Sequence, residues 1–226
     1  MFSAKRFFIL IIIAAVSLPV VSAQMTVEES YLQDSLEIFI ITQTASGFTR
    51  DQKVIALQYI GEALDRGNSD DRIRQTLETL SLEGTRIVSR ESGRVVNNFP
   101  DIRRQAARYL GQIGTEEARQ SLILVCISER EPMVLMEAIT SLGNIGTNPD
   151  NSTVTSIVQA FRTLGNNPNS LMAIATLDAL EKIARNNNGL PENGVTLISQ
   201  IANDWRYEGV IRQRAWLLHA SLRNYR

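Results

Sequence analysis

The chain has 226 residues, 44% of them hydrophobic, so it is long enough to bury a sizeable core. Its 23 Lys and Arg against 24 Asp and Glu give a formal net charge of −1, which excludes a general attraction to nucleic acid or to an anionic membrane. The only cysteine, Cys126, excludes an intramolecular disulfide, and stability must therefore come from packing.

Residues 1–23 have the layout of a cleavable signal peptide. Two basic residues precede an apolar run, and small residues end the segment at Ala23. We predict cleavage between Ala23 and Gln24 and a periplasmic or secreted product. An uncleaved anchor is the weaker alternative, because the run is shorter than the roughly 20 residues of a membrane span and is broken by Pro19. After cleavage we expect no membrane span.

The next segment, residues 24–48, is predicted to be an N-terminal capping helix. Thr26 and Glu29 have the spacing of a capping box, in which each residue satisfies a backbone amide at the helix start. The apolar residues that suit a terminal helix are Val27, Tyr31, Leu32, Leu36, Phe39 and Ile40.

A repeat domain is predicted over residues 49–226. Its first helix begins with a second capping box, formed by Thr49 and Gln52. The partner helix is predicted to run from about Asp70 to Arg90, and no strand pattern competes with it. Its predicted inward residues are Ile73, Leu77, Leu80, Ile87 and Val88.

Internal repetition is the strongest signal in the sequence. A shift of 32 residues superimposes seven identical residues within sixteen positions, which indicates stacked supersecondary units. The identical pairs are Pro100/Pro132, Ala106/Ala138, Leu110/Leu142, Gly111/Gly143, Ile113/Ile145, Gly114/Gly146 and Thr115/Thr147.

Each repeated residue has a local physical role. Pro100 suits a first helical turn, where the missing amide hydrogen is not needed. Gly114 can adopt the left-handed conformation that ends a helix, and Thr115 can cap the next helix. One apolar stripe is formed by Ile102, Ala106, Leu110 and Ile113, and the following short helix carries Leu122, Val125 and Cys126. The unit is therefore two antiparallel helices.

Weaker copies of the unit continue downstream. The first-helix stripe recurs at Met172, Thr176, Leu180 and Ile183, its partner helix carries Val195, Ile198, Ile201 and Trp205, and a last helix carries Ile211, Ala215 and Leu222. The predicted fold class is all-α: a right-handed α-solenoid, or superhelix, of about four to five antiparallel helix pairs.

The pattern Ile102-Arg103 with Ala106, Leu110-Gly111 and Ile113-Gly114 resembles the short HEAT-like repeat family, including the variety found in phycobilisome-lyase-type proteins. The second copy, from Val134 to Gly146, departs from the family at Leu135, where Arg is usual. Tetratricopeptide repeats are the nearest alternative, but their Trp, Leu-Gly and Tyr signature is absent. The resemblance implies an armadillo-like scaffold that binds other proteins.

The sequence offers little reactive chemistry. His219 lies on the last helix and is expected to be a packed or partly exposed side chain, and Cys126 is expected to be a small buried apolar residue. One His and one Cys cannot form a zinc site, and the Leu-Gly-x-Ile-Gly runs lack the strand and the Lys of a phosphate loop. We therefore predict no catalytic residue, no metal ligand and no cofactor.

One cluster of basic residues is a candidate anion-binding patch. Arg86, Arg90 and Arg94 are spaced i, i+4, i+8 on the predicted partner helix, and Arg104 and Arg108 follow on the next helix. An ordinary charged repeat edge is the alternative interpretation of this patch.

The leading hypothesis is a non-enzymatic, exported scaffold or adaptor that binds a protein partner in the cell envelope. A binder of anions or cell-wall polymers that uses the arginine patch is one alternative. A lyase-type enzyme subunit is another, and it fits less well because an exported chain would not meet a cytosolic substrate. The sequence does not indicate the oligomeric state.

Overall fold

The computed structural model describes residues 27–164 and 169–225, and the predicted signal peptide and its cleavage site lie outside them. This part of the chain contains ten α-helices, a two-stranded hairpin and a short 3-10 helix, Leu222–Tyr225. In chain order the elements are α1 Val27–Ala45, α2 Arg50–Asp65, α3 Asp71–Leu82, β1 Arg90–Glu91, β2 Arg94–Val95, α4 Pro100–Ile113, α5 Glu116–Ser128, α6 Pro132–Ile145, α7 Ser152–Thr163, α8 Ser170–Asn186, α9 Glu192–Asn203 and α10 Gly209–Ser221.

The chain divides into two units, Met1–Glu37 and Ile38–Arg226. Of the first unit the structure describes only the beginning of α1. The second unit contains the end of α1, where Ile38 and Ile41 are buried, and all the other described elements.

Helices of the second unit pack in two rows. The first helices of the repeats, α2, α4, α6, α8 and α10, pack on one another in chain order, and the second helices, α3, α5, α7 and α9, form a parallel row behind them. Such stacking in two layers is that of an α-solenoid of four helix pairs followed by one further first helix. The predicted fold class is confirmed.

Helix ends at the two identical repeats match the sequence-based prediction. Gly114 and Gly146 have φ of 69° and 73°, the left-handed region in which glycine has no steric penalty. The side chain of Thr115 accepts a hydrogen bond from the amide of Ala118 and so caps α5. Pro100 and Pro132 each occupy a first helical turn.

Close approach between successive first helices depends on one glycine position. A methyl group at Gly111 would lie 2.5 Å from Cβ of Ser141, and one at Gly143 would lie 2.6 Å from Cα of Ala179. A methyl group at Gly61 would likewise meet the hydroxyl of Tyr109 on the next first helix. In three successive repeats, this glycine therefore lies against the residue at the same position of the following first helix. This contact sets the spacing of the stack.

The predicted long helix from Asp70 to Arg90 is wrong in its second half. Helix α3 ends at Leu82, and the chain then turns at Gly84, where φ is 73°. A hairpin follows, because Ser92 and Gly93 both have positive φ, as a two-residue hairpin turn requires. Ile87 and Val88, which were predicted to face the core, lie in the loop before this hairpin and are exposed.

A second correction concerns Trp205, which was predicted to extend the apolar stripe of the helix now named α9. That helix ends at Asn203, and the indole of Trp205 is 82% exposed in the following turn. The rest of the predicted stripe is in place, since Ile198 and Ile201 are buried.

No described helix has both the length and the apolar composition needed to cross a membrane.

Candidate functional site

A groove lies on the exposed side of the first helices of repeats one to three. It has a volume of about 750 Å³ and lies between α2, α4 and the start of α6. Leu57 and Ile102 form its buried apolar floor, and Val54 and Met133 are exposed apolar residues at its sides. The other lining residues are Arg50, Gln58, Pro100, Asp101, Arg104, Gln105, Tyr109 and Glu131.

Charged residues at the rim of this groove are paired between repeats. Arg50 of α2 donates from Nη2 to Oδ2 of Asp101 on α4 at 2.6 Å, and its Nε donates to the same oxygen at 3.0 Å. Arg104 of α4 donates from Nε to Oε2 of Glu137 on α6 at 3.2 Å. Because three of these four side chains are about half exposed, the pairs position the rim more than they stabilise the fold.

Behind the groove a buried ion pair fixes the start of α4. Arg103 donates from Nε to Oε2 of Glu129 at 2.6 Å, and both side chains are 3% exposed. Burial alone would raise the pKa of Glu129, but hydrogen bonds from Arg103 and from the amides of Glu131 and Arg130 hold that pKa below its usual value. The guanidinium also donates to the carbonyl of Glu83 at 3.2 Å.

The same arrangement occurs one repeat earlier and is absent one repeat later. Lys53, at the position equivalent to Arg103, donates from Nζ to Oε1 of Glu83 at 2.7 Å and is buried. Leu135, at the next equivalent position, is fully buried among apolar residues. A fully buried leucine therefore takes the position in the third repeat that an ion-paired cation takes in the first two.

The structure corrects half of the predicted arginine patch, because Arg86, Arg90 and Arg94 do not lie on the partner helix, which ends at Leu82. Arg86, Arg90 and Arg94 are exposed on the loop and hairpin that follow α3, whereas Arg104 and Arg108 lie on α4. The i, i+4, i+8 spacing is thus not a helical row, because the hairpin turn interrupts it. Arg90 donates to the carbonyl of Gly93 at 3.1 Å, and Arg104 pairs with Glu137 in the groove rim.

Reactive side chains are few and separate. Cys126 is fully buried on α5, and burial raises the pKa of its thiol to about 12, so a thiolate does not form near neutral pH. His219 is half-buried on α10 and makes an edge-on contact with Trp216, with ring centroids 5.9 Å apart. Within residues 27–164 and 169–225, no three His, Cys, Asp or Glu side chains are grouped so that they could hold a metal ion.

A second, more polar depression lies on the loop side of the C-terminal repeats. It has a volume of about 660 Å³ and is lined by asparagines of two loops together with His219 and Arg223. The asparagines largely bond to the protein itself: Asn187 donates to the carbonyls of Gly146 and Ile183, and Asn148 donates to Asn151. Their role is to close the loops, which leaves the groove of α2, α4 and α6 as the better candidate for binding.

Sequence reasoning did not identify this groove. Its exposed apolar residues, Val54 and Met133, come from helices two repeats apart and belong to no local motif. The signal available was the repeat register, which places Asp101 and Met133 at the same position of successive first helices and outside the apolar stripe.

An α-solenoid of stacked helix pairs is the architecture of helical repeat proteins. Residues 95–163 match the family model of HEAT repeats, the family that the sequence pattern of this segment resembles. The match extends from the end of the hairpin to the end of α7.

A solved structure shows the same fold over most of the chain. It is the complex of CpcE and CpcF of phycocyanin lyase from Nostoc sp. PCC7120, with a TM-score of 0.54 and 17% sequence identity over 92% of this chain and 71% of the other. At this identity the likeness shows the fold alone. A search of the curated proteins finds no match.

Proposed function

We propose that this protein is a non-enzymatic scaffold that binds a segment of a partner protein in the groove of α2, α4 and α6. The observation that carries the proposal is the composition of the groove: exposed Val54 and Met133 beside a buried apolar floor, with ion-paired arginines along the rim. Concave apolar surfaces with a few fixed polar groups are the usual form of peptide-binding grooves in proteins.

The chemistry of the groove supports binding over catalysis. No His, Cys or Ser lines it, so its walls lack a serine or cysteine nucleophile with a neighbouring histidine base. Of the two carboxylates that line it, Asp101 is held by Arg50, and Glu131 is at the N-cap of α6; Glu137 at the rim is held by Arg104. A lyase-type subunit remains the alternative from an enzyme class, and it rests on the shared fold, which does not carry activity by itself.

We further propose that the protein is exported and acts in the cell envelope. The support is the charged, apolar and small-residue order of residues 1–23. A binder of anions through Arg86, Arg90 and Arg94 is the second candidate function, because all three residues are exposed on the loop and hairpin that follow α3.

The groove proposal is tested with paired charge insertions. Val54→Glu with Met133→Glu places two carboxylates on exposed apolar positions of the groove, and Ile127→Glu on α5 is the matched control, since Ile127 is 40% exposed and does not line the groove. We expect wild type and control to retain a partner from envelope extract that the groove variant loses, with unchanged thermal unfolding. Recovery of the same proteins by all three would contradict the proposal.

Substitution of the arginines that follow α3 and the salt dependence of binding distinguish the two candidate functions. Replacing Arg86 and Arg94 by Glu should leave a groove partner bound, whereas an anion bound by these arginines would be lost. Such an anion would also dissociate as the salt concentration rises. The reason is that exposed charges are screened over about 8 Å at physiological ionic strength.

A further inference from the structure

The loops that lead into the first helices lie at one edge of the stack. Successive first helices are parallel, because they contact each other at nearly equal register, as Gly111 does with Ser141 and Gly143 with Ala179. Their N-termini therefore share an edge, which we call the entry edge. Its loops that the structure describes in full are residues 46–49, 83–99, 129–131 and 204–208.

Two buried cations hold the bases of three of these loops side by side. Lys53 donates from Nζ to the carbonyl of Ala45 at 3.1 Å and to Oε1 of Glu83 at 2.7 Å, so one ammonium group joins the ends of α1 and α3. Arg103 joins the carbonyl of Glu83 to the carboxylate of Glu129 at the end of α5. The first three loops of the entry edge are thus neighbours with fixed bases.

The loops of the entry edge present large apolar side chains to solvent. Phe48, before α2, is 89% exposed, and Trp205, before α10, is 82% exposed. In the loop and hairpin after α3, Ile87, Val88 and Val96 are exposed as well. These side chains belong to no buried cluster, so the packing of the fold does not account for them.

The first turns of the later first helices continue this pattern. Leu171 of α8 and Val210 of α10 occupy the register position of Met133, and they are 62% and 76% exposed. Exposed apolar residues at one register position in successive helices extend the entry edge along the stack.

The opposite edge of the stack has a different composition. Its loops lead from first to second helices and comprise residues 66–70, 114–115, 146–151 and 187–191. Their one large aliphatic or aromatic residue, Leu190, is half-buried. Among the described loops, exposure of large apolar side chains is therefore a property of the entry edge alone.

Cations accompany the apolar side chains of the entry edge. In residues 84–98 the exposed Arg86, Arg90 and Arg94 stand against one acidic residue, Glu91. Three positive charges against one negative charge give this loop a net charge of +2, although the whole chain has −1. Exposed aromatic and aliphatic side chains beside basic residues are typical of segments that lie in the interface of an anionic membrane.

We propose that the entry edge docks on the surface of a membrane that contains anionic lipids. Phe48, Trp205 and the apolar residues after α3 enter the interfacial layer, and the arginines contact lipid phosphate groups. A fluid bilayer accepts side chains that protrude from separate loops, whereas a protein partner needs a complementary pocket for each of them. Neither of the two cavities described above is lined by these residues.

This surface is separate from the groove, so its test and the test of the scaffold function are independent. It shares Arg86, Arg90 and Arg94 with the second candidate function, a binder of anions. The two differ in that membrane docking requires the apolar side chains of Phe48 and Trp205, whereas an anion site requires only the arginines.

The two tryptophans of the chain provide a local test. Trp205 lies on the entry edge, whereas Trp216 lies about 10 Å along the axis of α10 from its first residue, Gly209. Trp216→Phe leaves Trp205 as the single tryptophan, and Trp205→Phe leaves Trp216. On vesicles of phosphatidylcholine and phosphatidylglycerol with brominated acyl chains, we expect Trp205 emission to be quenched and shifted to shorter wavelength, with little change at Trp216. Because bromine quenches only nearby indoles, this signal does not depend on lipid contacts elsewhere in the chain.

Variants in the Trp216→Phe protein assign the contact to the entry edge. Phe48→Ser with Val88→Ser should weaken vesicle binding about tenfold or more, because these side chains no longer leave water on docking. Arg86→Gln with Arg94→Gln should also weaken binding about tenfold or more, but only when phosphatidylglycerol is present. Leu217→Ser is the control, since Leu217 is 66% exposed but lies away from the entry edge on α10. Circular dichroism melts should show that all variants remain folded.

Three results would overturn the proposal. Equal quenching of the two tryptophans, or quenching of neither, would mean that the entry edge does not enter the bilayer. Binding that is lost in the arginine variant but unchanged by Phe48→Ser with Val88→Ser would reduce the surface to an anion site. A loss in Leu217→Ser as large as that in the Phe48 variant would place the lipid contact elsewhere.

Discussion

Replacing Gly143 by alanine should weaken the stack, although alanine is the better helix former. The new methyl group would lie 2.6 Å from Cα and 2.7 Å from Cβ of Ala179, well inside the roughly 3.5–4.0 Å at which carbon atoms pack. Both partners belong to the cores of α6 and α8, so relief requires the helices to separate by about 1 Å. Overpacking of this kind costs about 1–3 kcal/mol.

Helix propensity acts in the opposite direction. Alanine is favoured over glycine inside a helix by up to about 1 kcal/mol, and less near a helix end such as that of α6. The net change in the free energy of unfolding should be a loss of about 1–2 kcal/mol, which corresponds to a fall of roughly 2–8 °C in melting temperature for a domain of this size.

Gly61 provides the matched control. A methyl group there would meet the hydroxyl of Tyr109, the far end of a side chain that can rotate away without moving the backbone. Gly61→Ala should therefore be neutral or slightly stabilising. Urea unfolding followed by circular dichroism compares the two variants, and a Gly143→Ala protein as stable as wild type would refute the idea that helix contact at this glycine sets the repeat spacing.

Other predictions follow from buried and terminal residues. Arg103→Leu should cost about 3–5 kcal/mol because it removes the charged partner of the buried Glu129, while the double variant with Glu129→Leu should recover only part of the loss, since the amides of Arg130 and Glu131 then lose their acceptor; urea titration measures both variants. Since the pKa of Glu129 is lowered in the folded protein, its stabilisation is complete above about pH 4.5 and is lost as pH falls through the folded pKa, so acid should destabilise wild type more steeply than that double variant. Cys126 should resist alkylation until the protein unfolds, and rapid labelling of native protein would contradict its burial. Mass analysis of the exported product should find Gln24 at or within two residues of its N-terminus, and retention of Met1 on a membrane-bound product would support an anchor instead.

The parts of the fold that the sequence predicts well are those fixed by local chemistry. Pro100, Gly114 and Thr115 each act within one helix turn, so their repetition at a constant spacing was enough to locate α4, α5 and α6. The left-handed φ of Gly114 and the cap of Thr115 confirm these roles.

The hairpin after α3 was missed because its apolar residues continue the helical spacing by coincidence. Ile87 lies seven residues after Leu80, which suits a helix, yet Gly84 has already ended the periodic segment. The Ser92-Gly93 dipeptide, a known turn signal, was the better guide to the structure. The arginine spacing on the predicted helix was an artefact of the same error.

The groove and the exposure of Trp216 could not be predicted from local pattern. Val54 and Met133 come together only because α2, α4 and α6 stack in order, and Trp216 is unusual only by comparison with its buried equivalents in the earlier repeats. Both features depend on how repeats pack on each other, which a periodic sequence indicates in kind but not in detail.

Photo-crosslinking in the groove tests the proposed scaffold function most directly. A photoreactive phenylalanine analogue at Met133 lies in the groove wall, and the same analogue at Ile127 lies outside it. In cells with an intact envelope, irradiation should crosslink one partner protein to the analogue at Met133. Digestion of the crosslinked product should map the crosslink to a single segment of that partner. Equal labelling from both positions, or none from Met133 with a partner still bound, would contradict binding in the groove.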